Sequence, residues 1–137
     1  MHGDTECLGN IQELCAQRVS KNWYSFVLCM NKDFRKIGVD DTITDNCLKF
    51  SGINKKRFDH CVDRRGKTLL TRNVKRSINL GLNKSCTILI NRGEYKCIHD
   101  GTWKECSGGY QVDDFVRQIC ISYEGKNISP RCKKYFK

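Results

Sequence analysis

The chain has 137 residues, ten cysteines and a formal net charge of +10 at pH 7. This length fits one domain, and we interpret residues 1–137 as a single domain. No apolar run approaches the roughly 20 residues that cross a bilayer, so we predict no membrane span. A dense, even set of cysteines in a short chain is typical of a secreted disulfide framework. The residues after Met1 are hydrophilic, so we expect that any signal peptide has been removed.

The first half of the chain follows a helical period. Residues 5–18 carry one apolar stripe, and Ser20 is the predicted cap of a second helix through Trp23 and Met30. Thr44 or Asp45 begins a short helix that Ser51 and Gly52 end. Asn54 caps another helix through Val62, and a further helix over residues 70–78 ends near Gly81.

The second half predicts strands before one last helix. Residues 86–90 form a β-branched run, and Arg92-Gly93 turns the chain into a second run over residues 94–98. This pattern predicts an antiparallel hairpin, followed by a loop through Asp100-Gly101. Residues 112–123 then predict a helix with acids in its first turn and Gly125 just past its end.

The cysteines are expected to be bridged, all ten of them, in about five disulfides: Cys7, Cys15, Cys29, Cys47, Cys61, Cys86, Cys97, Cys106, Cys120 and Cys132. Cys7 and Cys15 share a helix and lie about 12 Å apart along its axis, which is too far for a bond. Sequence leaves the pairing open, and Cys97–Cys106, Cys120–Cys132 and Cys47–Cys61 are three candidates.

Catalytic and metal-binding patterns are absent from the sequence. It contains no Cys-x-x-Cys, the usual device of thiol–disulfide exchange and a usual zinc ligand pair. The histidines at 2, 60 and 99 lack metal-ligand spacing, and no motif brings them together for acid–base chemistry. We therefore predict no metal, no cofactor and no catalytic residue.

Residues 2–15 form the pattern His-Gly-x2-Glu-Cys-x2-Asn-x4-Cys. It resembles the signature of the gamma-interferon-inducible lysosomal thiol reductase (GILT) family, Cys-Gln-His-Gly-x2-Glu-Cys-x2-Asn-x4-Cys. Residues 119–126 with Cys132 are similar to the family's closing helix and cysteine tail, and residues 88–91 to one of its strands. The resemblance spans the chain, although the middle matches loosely.

The resemblance implies a thioredoxin-like fold whose redox Cys-x-x-Cys lies upstream of the signature. We therefore expect a truncated thioredoxin-like α+β domain, rich in helix, with a small antiparallel hairpin. Cys86 stands where the family's cis-proline is expected. We predict a protein without thiol reductase activity; the alternative is a reductase whose native chain carries an upstream Cys-x-x-Cys. The resemblance further suggests a secreted protein of insect saliva, with a lysosomal location as the alternative.

Binding is the function that remains, and two features suggest it. Basic residues cluster on predicted adjacent helices, and Trp103 lies near the tip of a predicted disulfide-bearing projection over residues 94–111. The candidate binding residues are Lys55, Lys56, Arg57, Arg64, Arg65, Lys67, Arg72, Lys75, Arg76 and Trp103. Such a field attracts a protein or an acidic glycan on a cell or microbial surface. Aromatic residues do not interleave with the cations, so no specific nucleic-acid binding is predicted.

Two further expectations concern the surface. Asn83 and Asn127 begin glycosylation sequons and must be exposed if they are modified. An open sheet edge, where strands of the parent fold would pair, suggests a homodimer.

Overall fold

A computed structural model describes residues 3–84 and 86–136. Its contacts divide the chain into two compact units, Met1–Leu80 (unit 1) and Gly81–Lys137 (unit 2). Within the described ranges, none of the helices is both long enough and apolar enough to cross a membrane. The single-domain interpretation stays a prediction.

Unit 1 is built from four α-helices: α1 (Asp4–Val19), α2 (Trp23–Met30), α3 (Asp41–Ser51) and α4 (Lys55–Asn79). A 3-10 segment, Asn31–Lys36, follows α2. The start of α1 and the end of α3 at Gly52 agree with the sequence prediction, and Gly52 takes the left-handed conformation that glycine favours (φ 65°). Asn54 caps α4 as predicted, since its side chain accepts a hydrogen bond from the Arg57 backbone N–H at 3.0 Å.

Three predicted boundaries in unit 1 are wrong. Helix α2 begins after Asn22, and the Ser20 hydroxyl instead accepts a hydrogen bond from the Asn22 N–H in the preceding turn. Helix α3 begins at Asp41, because the Asp40 side chain caps it by accepting from the Thr42 N–H at 2.8 Å. The two predicted helices over residues 54–81 form one continuous helix of 25 residues.

The core of unit 1 lies where the helices meet. Phe26 and Phe58 are buried with their ring centroids 5.5 Å apart. The other buried members are Cys15, Ala16, Met30, Cys47, Leu48, Ile53 and Cys61. Helices α1 and α4 approach closely, because a Cβ on Gly66 would collide with Ile11. Burial of these apolar side chains supplies the main stabilisation of the unit.

Two disulfides lie in this core. Cys15 pairs with Cys61 and joins α1 to α4, and Cys29 pairs with Cys47 and joins α2 to α3. The candidate pairing Cys47–Cys61 is therefore wrong: α3 presents Cys47 to α2, while α4 presents Cys61 to α1.

Unit 2 contains a three-stranded antiparallel sheet in the order β1 (Thr87–Ile90), β2 (Tyr95–Asp100), β3 (Thr102–Lys104). The predicted hairpin is confirmed, with Ile90 opposite Tyr95. The loop predicted beyond it is wrong, since the chain turns at Gly101 (φ 74°) and pairs Asp100 with Thr102. Helix α5 (Val112–Ile121) and a 3-10 segment, Pro130–Tyr135, complete the unit.

The core of unit 2 is small: its buried apolar residues are Tyr95, Cys97, Ile98 and Cys120. Cys97–Cys106 and Cys120–Cys132 are bridged, which confirms two of the three candidate pairings. The helix-rich α+β class with a small antiparallel hairpin is confirmed, and the thioredoxin-like assignment is consistent with it.

The prediction that all ten cysteines are bridged is wrong: Cys7 and Cys86 are free. Each unit contains five cysteines, an odd number. Each of the four disulfides joins two cysteines of the same unit, two disulfides in unit 1 and two in unit 2. One cysteine per unit is therefore left over. Cys7 on α1 is partly buried, and Cys86, beside β1, is exposed.

Candidate anion-binding cleft

Helix α4 carries nine Lys and Arg residues against two Asp residues. Its 25 residues extend about 37 Å at the rise of an α-helix. The basic residues predicted to lie on adjacent helices therefore lie on one continuous helix. A linear array of like charge suits a linear polyanion better than a compact small molecule.

A cleft of about 440 Å³ opens where the last turn of α1 meets the first turns of α4. Five basic side chains line it: Arg18, Lys56, Arg57, His60 and Arg65. Val19 and Cys61 complete the lining, and the Cys15–Cys61 disulfide fixes the two helices against each other there. No carboxylate is among the lining residues.

The Lys and Arg side chains of the cleft keep their charge available to a ligand. Within residues 3–84 and 86–136, none of the five basic side chains of the cleft forms an ion pair. Lys55, one residue away, differs: its amine contacts Asp45 at 2.7 Å and Asp59 at 3.4 Å. The hydrogen bond that Lys55 donates to the Asp45 carboxylate raises the pKa of Lys55. The positive potential of the cleft is therefore not cancelled locally, whereas that of Lys55 is.

The structure brings together three of the predicted binding residues in this cleft: Lys56, Arg57 and Arg65. Six other predicted cations lie on α4 outside the cleft lining: Lys55, Arg64, Lys67, Arg72, Lys75 and Arg76. All six are exposed, so they extend the charged surface along the helix.

Sequence reasoning missed Arg18 and His60. Arg18 is the basic residue in the last turn of α1, where a cation is favoured by the helix dipole. A basic residue at this position is common at helix ends, so nothing in the sequence was a reason to assign Arg18 to a binding site. His60 follows Arg57 by three positions on α4, so that spacing could have placed both on one face.

Trp103 belongs to unit 2, and there it packs against other rings. It stacks on Tyr110, with centroids 5.4 Å apart and planes 15° from parallel. His99 and Phe115 contact its ring at 4.7 Å and 6.2 Å. Trp103 remains 40% exposed, so the cluster offers a partly open aromatic surface held by strand β3. The predicted projection over residues 94–111 contains strands β2 and β3, and its aromatic residue Tyr95 is buried and not exposed.

The remaining predicted sites are placed as follows. Asn83 and Asn127 are exposed, as a glycosylation acceptor must be, while Ser85 of the first sequon lies outside the described residues. Across the described ranges, no group of three or more His, Cys, Asp or Glu side chains is arranged to hold a metal ion.

The chain folds as a helix-rich, disulfide-bonded protein with a cationic cleft, and comparison with known proteins shows what it is similar to. Residues 1–51 match the family model described as gamma interferon inducible lysosomal thiol reductase (GILT). A protein of Arabidopsis thaliana named gamma-interferon-responsive lysosomal thiol protein is 29% identical over 134 residues. That alignment covers 95% of this chain and 51% of the relative, so the chain spans about half the length of the curated relative it matches.

Together these findings show that the chain is similar to the GILT family, most clearly over its first 51 residues. No solved structure matches the chain significantly. The suggestion of insect saliva stays a prediction.

Proposed function

We propose that this chain acts outside the cytosol as a non-catalytic binding protein, and that its ligand is a sulfated glycan. The observation that carries the proposal is the cleft between α1 and α4, where five basic side chains converge without a carboxylate. A bound anion offsets the repulsion between such neighbouring cations, and guanidinium groups form strong charge-assisted hydrogen bonds with oxyanions.

Three features favour a glycan over other polyanions. The four disulfides suit an oxidising compartment, where sulfated surface glycans occur. Helix α4 has Phe58 as its one aromatic residue, and that side chain is buried. A nucleic-acid surface would offer exposed rings on which bases stack. The basic residues of α4 run from Lys55 to Arg76, about 32 Å at the rise of an α-helix, which matches an extended chain.

The proposed binding mode has two parts. The cleft takes one sulfate group, with Arg57 and Arg65 on α4 and Arg18 on α1 as its donors. The exposed cations farther along α4, such as Arg72 and Arg76, interact with the rest of the glycan through the longer-range field. The first part sets affinity and orientation, and the second part mainly sets the association rate.

Affinity for a heparin oligosaccharide tests the proposal with two charge-matched variants. Arg57→Gln with Arg65→Gln removes two cations from the cleft. Arg72→Gln with Arg76→Gln removes two cations of the same type from exposed positions on the same helix. We expect the first pair to weaken binding about tenfold or more, since charged hydrogen bonds contribute roughly 1.5–3 kcal/mol each. The second pair should weaken binding about threefold or less.

The outcomes separate the steps of the proposal. Equal losses in the two variants would show diffuse electrostatic attraction and remove the cleft as the site. A wild-type protein that fails to bind the oligosaccharide at physiological salt would remove the glycan altogether. If the protein binds an acidic protein but not the oligosaccharide, the partner of the basic cleft is a protein and not a glycan.

The second candidate function is thiol–disulfide exchange, which the names of the family and of the relative suggest. The observation that favours it is the exposed, unbridged Cys86, whose backbone pairs with His99 through hydrogen bonds of 3.0 and 2.9 Å beside β1. Exchange needs an attacking thiolate and a resolving thiol. The 137 residues contain no Cys-x-x-Cys to supply them together.

Two measurements distinguish this candidate. A thiol count in denaturant should give two free thiols per chain, and in the native protein Cys86 should react faster than the partly buried Cys7. Insulin reduction should stay at background in an assay beside a relative that carries Cys-x-x-Cys. Turnover comparable to that relative would replace the binding proposal with the enzymatic one.

We also propose that the chain forms a homodimer through the sheet of unit 2, whose outer strands are β1 and β3. Unpaired strand edges favour association between copies. Light scattering at two protein concentrations should show a mass that rises towards twice 15.9 kDa. A mass that stays at 15.9 kDa at both concentrations would remove the dimer.

A further inference from the structure

A second cavity of unit 1, of about 470 Å³, has the opposite electrostatic character to the cleft. It lies on the other flank of α4, since its α4 residues are displaced from those of the cleft around the helix. Together with the cation Lys55, four carboxylates line it: Asp41, Asp45, Asp59 and Asp63. This concentration of acids is notable in a chain whose formal net charge is +10.

Two buried oxygens in the lining have no hydrogen-bond partner. Gln12 is 5% exposed and Thr44 is 6% exposed, and both line the cavity. Among the described residues, neither Gln12 Oε1 nor Thr44 Oγ1 finds a donor or acceptor. Buried polar atoms are nearly always paired, so two orphaned oxygens in residues that line one cavity indicate a missing partner.

Two of the four carboxylates are also free to bind a cationic ligand. The other two, Asp45 and Asp59, form ion pairs with Lys55. Within the described part of the chain, Asp41 and Asp63 form no ion pair. The cavity therefore presents two unpaired carboxylates and two unpaired neutral oxygens, all of which accept hydrogen bonds.

The chemistry of the lining selects the class of ligand. A metal ion is disfavoured, because no three acidic, His or Cys side chains among the described residues are arranged to hold one. An ammonium group donates three hydrogen bonds and carries the complementary charge. Leu8, Phe58 and Val62 form an apolar part of the same lining, which suits an organic body. The volume is in the range of small-molecule sites.

We propose that this cavity binds a small organic primary amine. The ammonium donates its three hydrogen bonds to Asp63 and to the orphaned oxygens of Gln12 and Thr44, and Asp41 adds a second negative charge to the lining. The organic body packs against Phe58 and Val62. The site is separate from the anion-binding cleft, so it does not depend on the glycan proposal.

Calorimetric titration with phenethylamine, and with 2-phenylethanol as its neutral isostere, tests this site. The amine should bind saturably, and the alcohol should bind about tenfold more weakly, the difference one charged hydrogen bond provides. Gln12→Met keeps the side-chain volume and removes the orphaned acceptor, and Asp63→Asn removes one charge. Each should weaken amine binding about fivefold or more.

Asp4→Asn is the matched control, since Asp4 lies on α1 outside this cavity and should leave binding unchanged. Circular dichroism confirms that each variant keeps its helices. Equal binding of amine and alcohol would overturn the electrostatic assignment. No saturable amine binding by the wild-type protein would show that the cavity holds water alone and would overturn the proposal.

Discussion

Among the described residues, unit 1 buries nine apolar side chains in one core that includes Phe26 and Phe58, and its two disulfides connect residues 46 and 18 positions apart. Unit 2 buries four apolar residues, two of which are cysteines in disulfides, and its bridges connect residues 9 and 12 positions apart. In unit 1 the disulfides join helices that already pack. In unit 2 they form much of the core.

This difference shows how one chain can stabilise two units by different means. A helical unit with a continuous apolar interior gains most of its free energy from burial. A unit of 57 residues with few buried side chains needs covalent links. The binding proposals both fall on unit 1, where α1 packs on α4 and α2 packs on α3.

The largest expected effect is the loss of unit 2 when its two disulfides are removed. Replacing Cys97, Cys106, Cys120 and Cys132 by Ala should abolish hydrogen-exchange protection over 95–98 and 112–121, because each disulfide contributes roughly 2–5 kcal/mol in small domains. Protection of α1 and α4 should persist.

The matched control replaces Cys15, Cys61, Cys29 and Cys47 by Ala. It should lower the melting temperature of unit 1 while the helices remain protected at room temperature. If unit 2 survives its own replacement, or unit 1 unfolds in the control, the contrast between the units is wrong.

The next effect concerns the core of unit 1. Phe26→Ala removes a fully buried ring that packs on Phe58 and should cost about 3–5 kcal/mol in the free energy of unfolding. Tyr24→Ala, an exposed neighbour on the same helix, should cost much less. Chemical denaturation measures both, and equal costs would contradict the placement of the core.

Gly66→Ala should destabilise unit 1 by roughly 1–3 kcal/mol, although alanine is the better helix former. The added Cβ collides with Ile11, whose branched side chain has little freedom to move. Ile11→Ala combined with Gly66→Ala should recover part of the loss. A stabilising Gly66→Ala would show that α1 and α4 lie farther apart than described.

The smallest effect is the pH dependence of the cap of α3. Hydrogen bonds from the Thr42 hydroxyl and backbone N–H lower the pKa of Asp40 in the folded protein. The cap therefore contributes stability that is fully present above the ordinary aspartate pKa and is lost as the pH falls through the lowered folded value.

Asp40→Ala should reduce the melting temperature slightly at pH 7 and have no effect well below about pH 4. Asp40→Asn keeps an acceptor at the cap and should give a smaller reduction at pH 7. A pH-independent difference between wild type and Asp40→Ala would contradict the assignment.

The sequence predicted features that depend on near neighbours. Helices α1 and α5 and the Asn54 cap were found because their signals lie within one or two turns. Strand β3 has three residues and followed an Asp-Gly turn that was interpreted as a loop. Asp40 was missed as a cap because a loop acid and a capping acid have the same local pattern.

Features that depend on tertiary packing were not predictable from spacing. The pairs Cys15–Cys61 and Cys29–Cys47 depend on which helices pack together. The same is true of the cleft: Lys56, Arg57 and Arg65 were predicted as a basic cluster, but the contribution of Arg18 follows from the packing of α1 on α4. The acidic cavity draws on three helices and had no sequence signal.

The measurement that tests the central claim most directly is a map of amide NMR shifts on titration with a heparin oligosaccharide. We predict that the largest shifts fall at Arg18, Lys56, Arg57, His60 and Arg65, the residues of the cleft. Shifts centred on Arg72–Arg76 or on unit 2, with the cleft unaffected, would contradict the account.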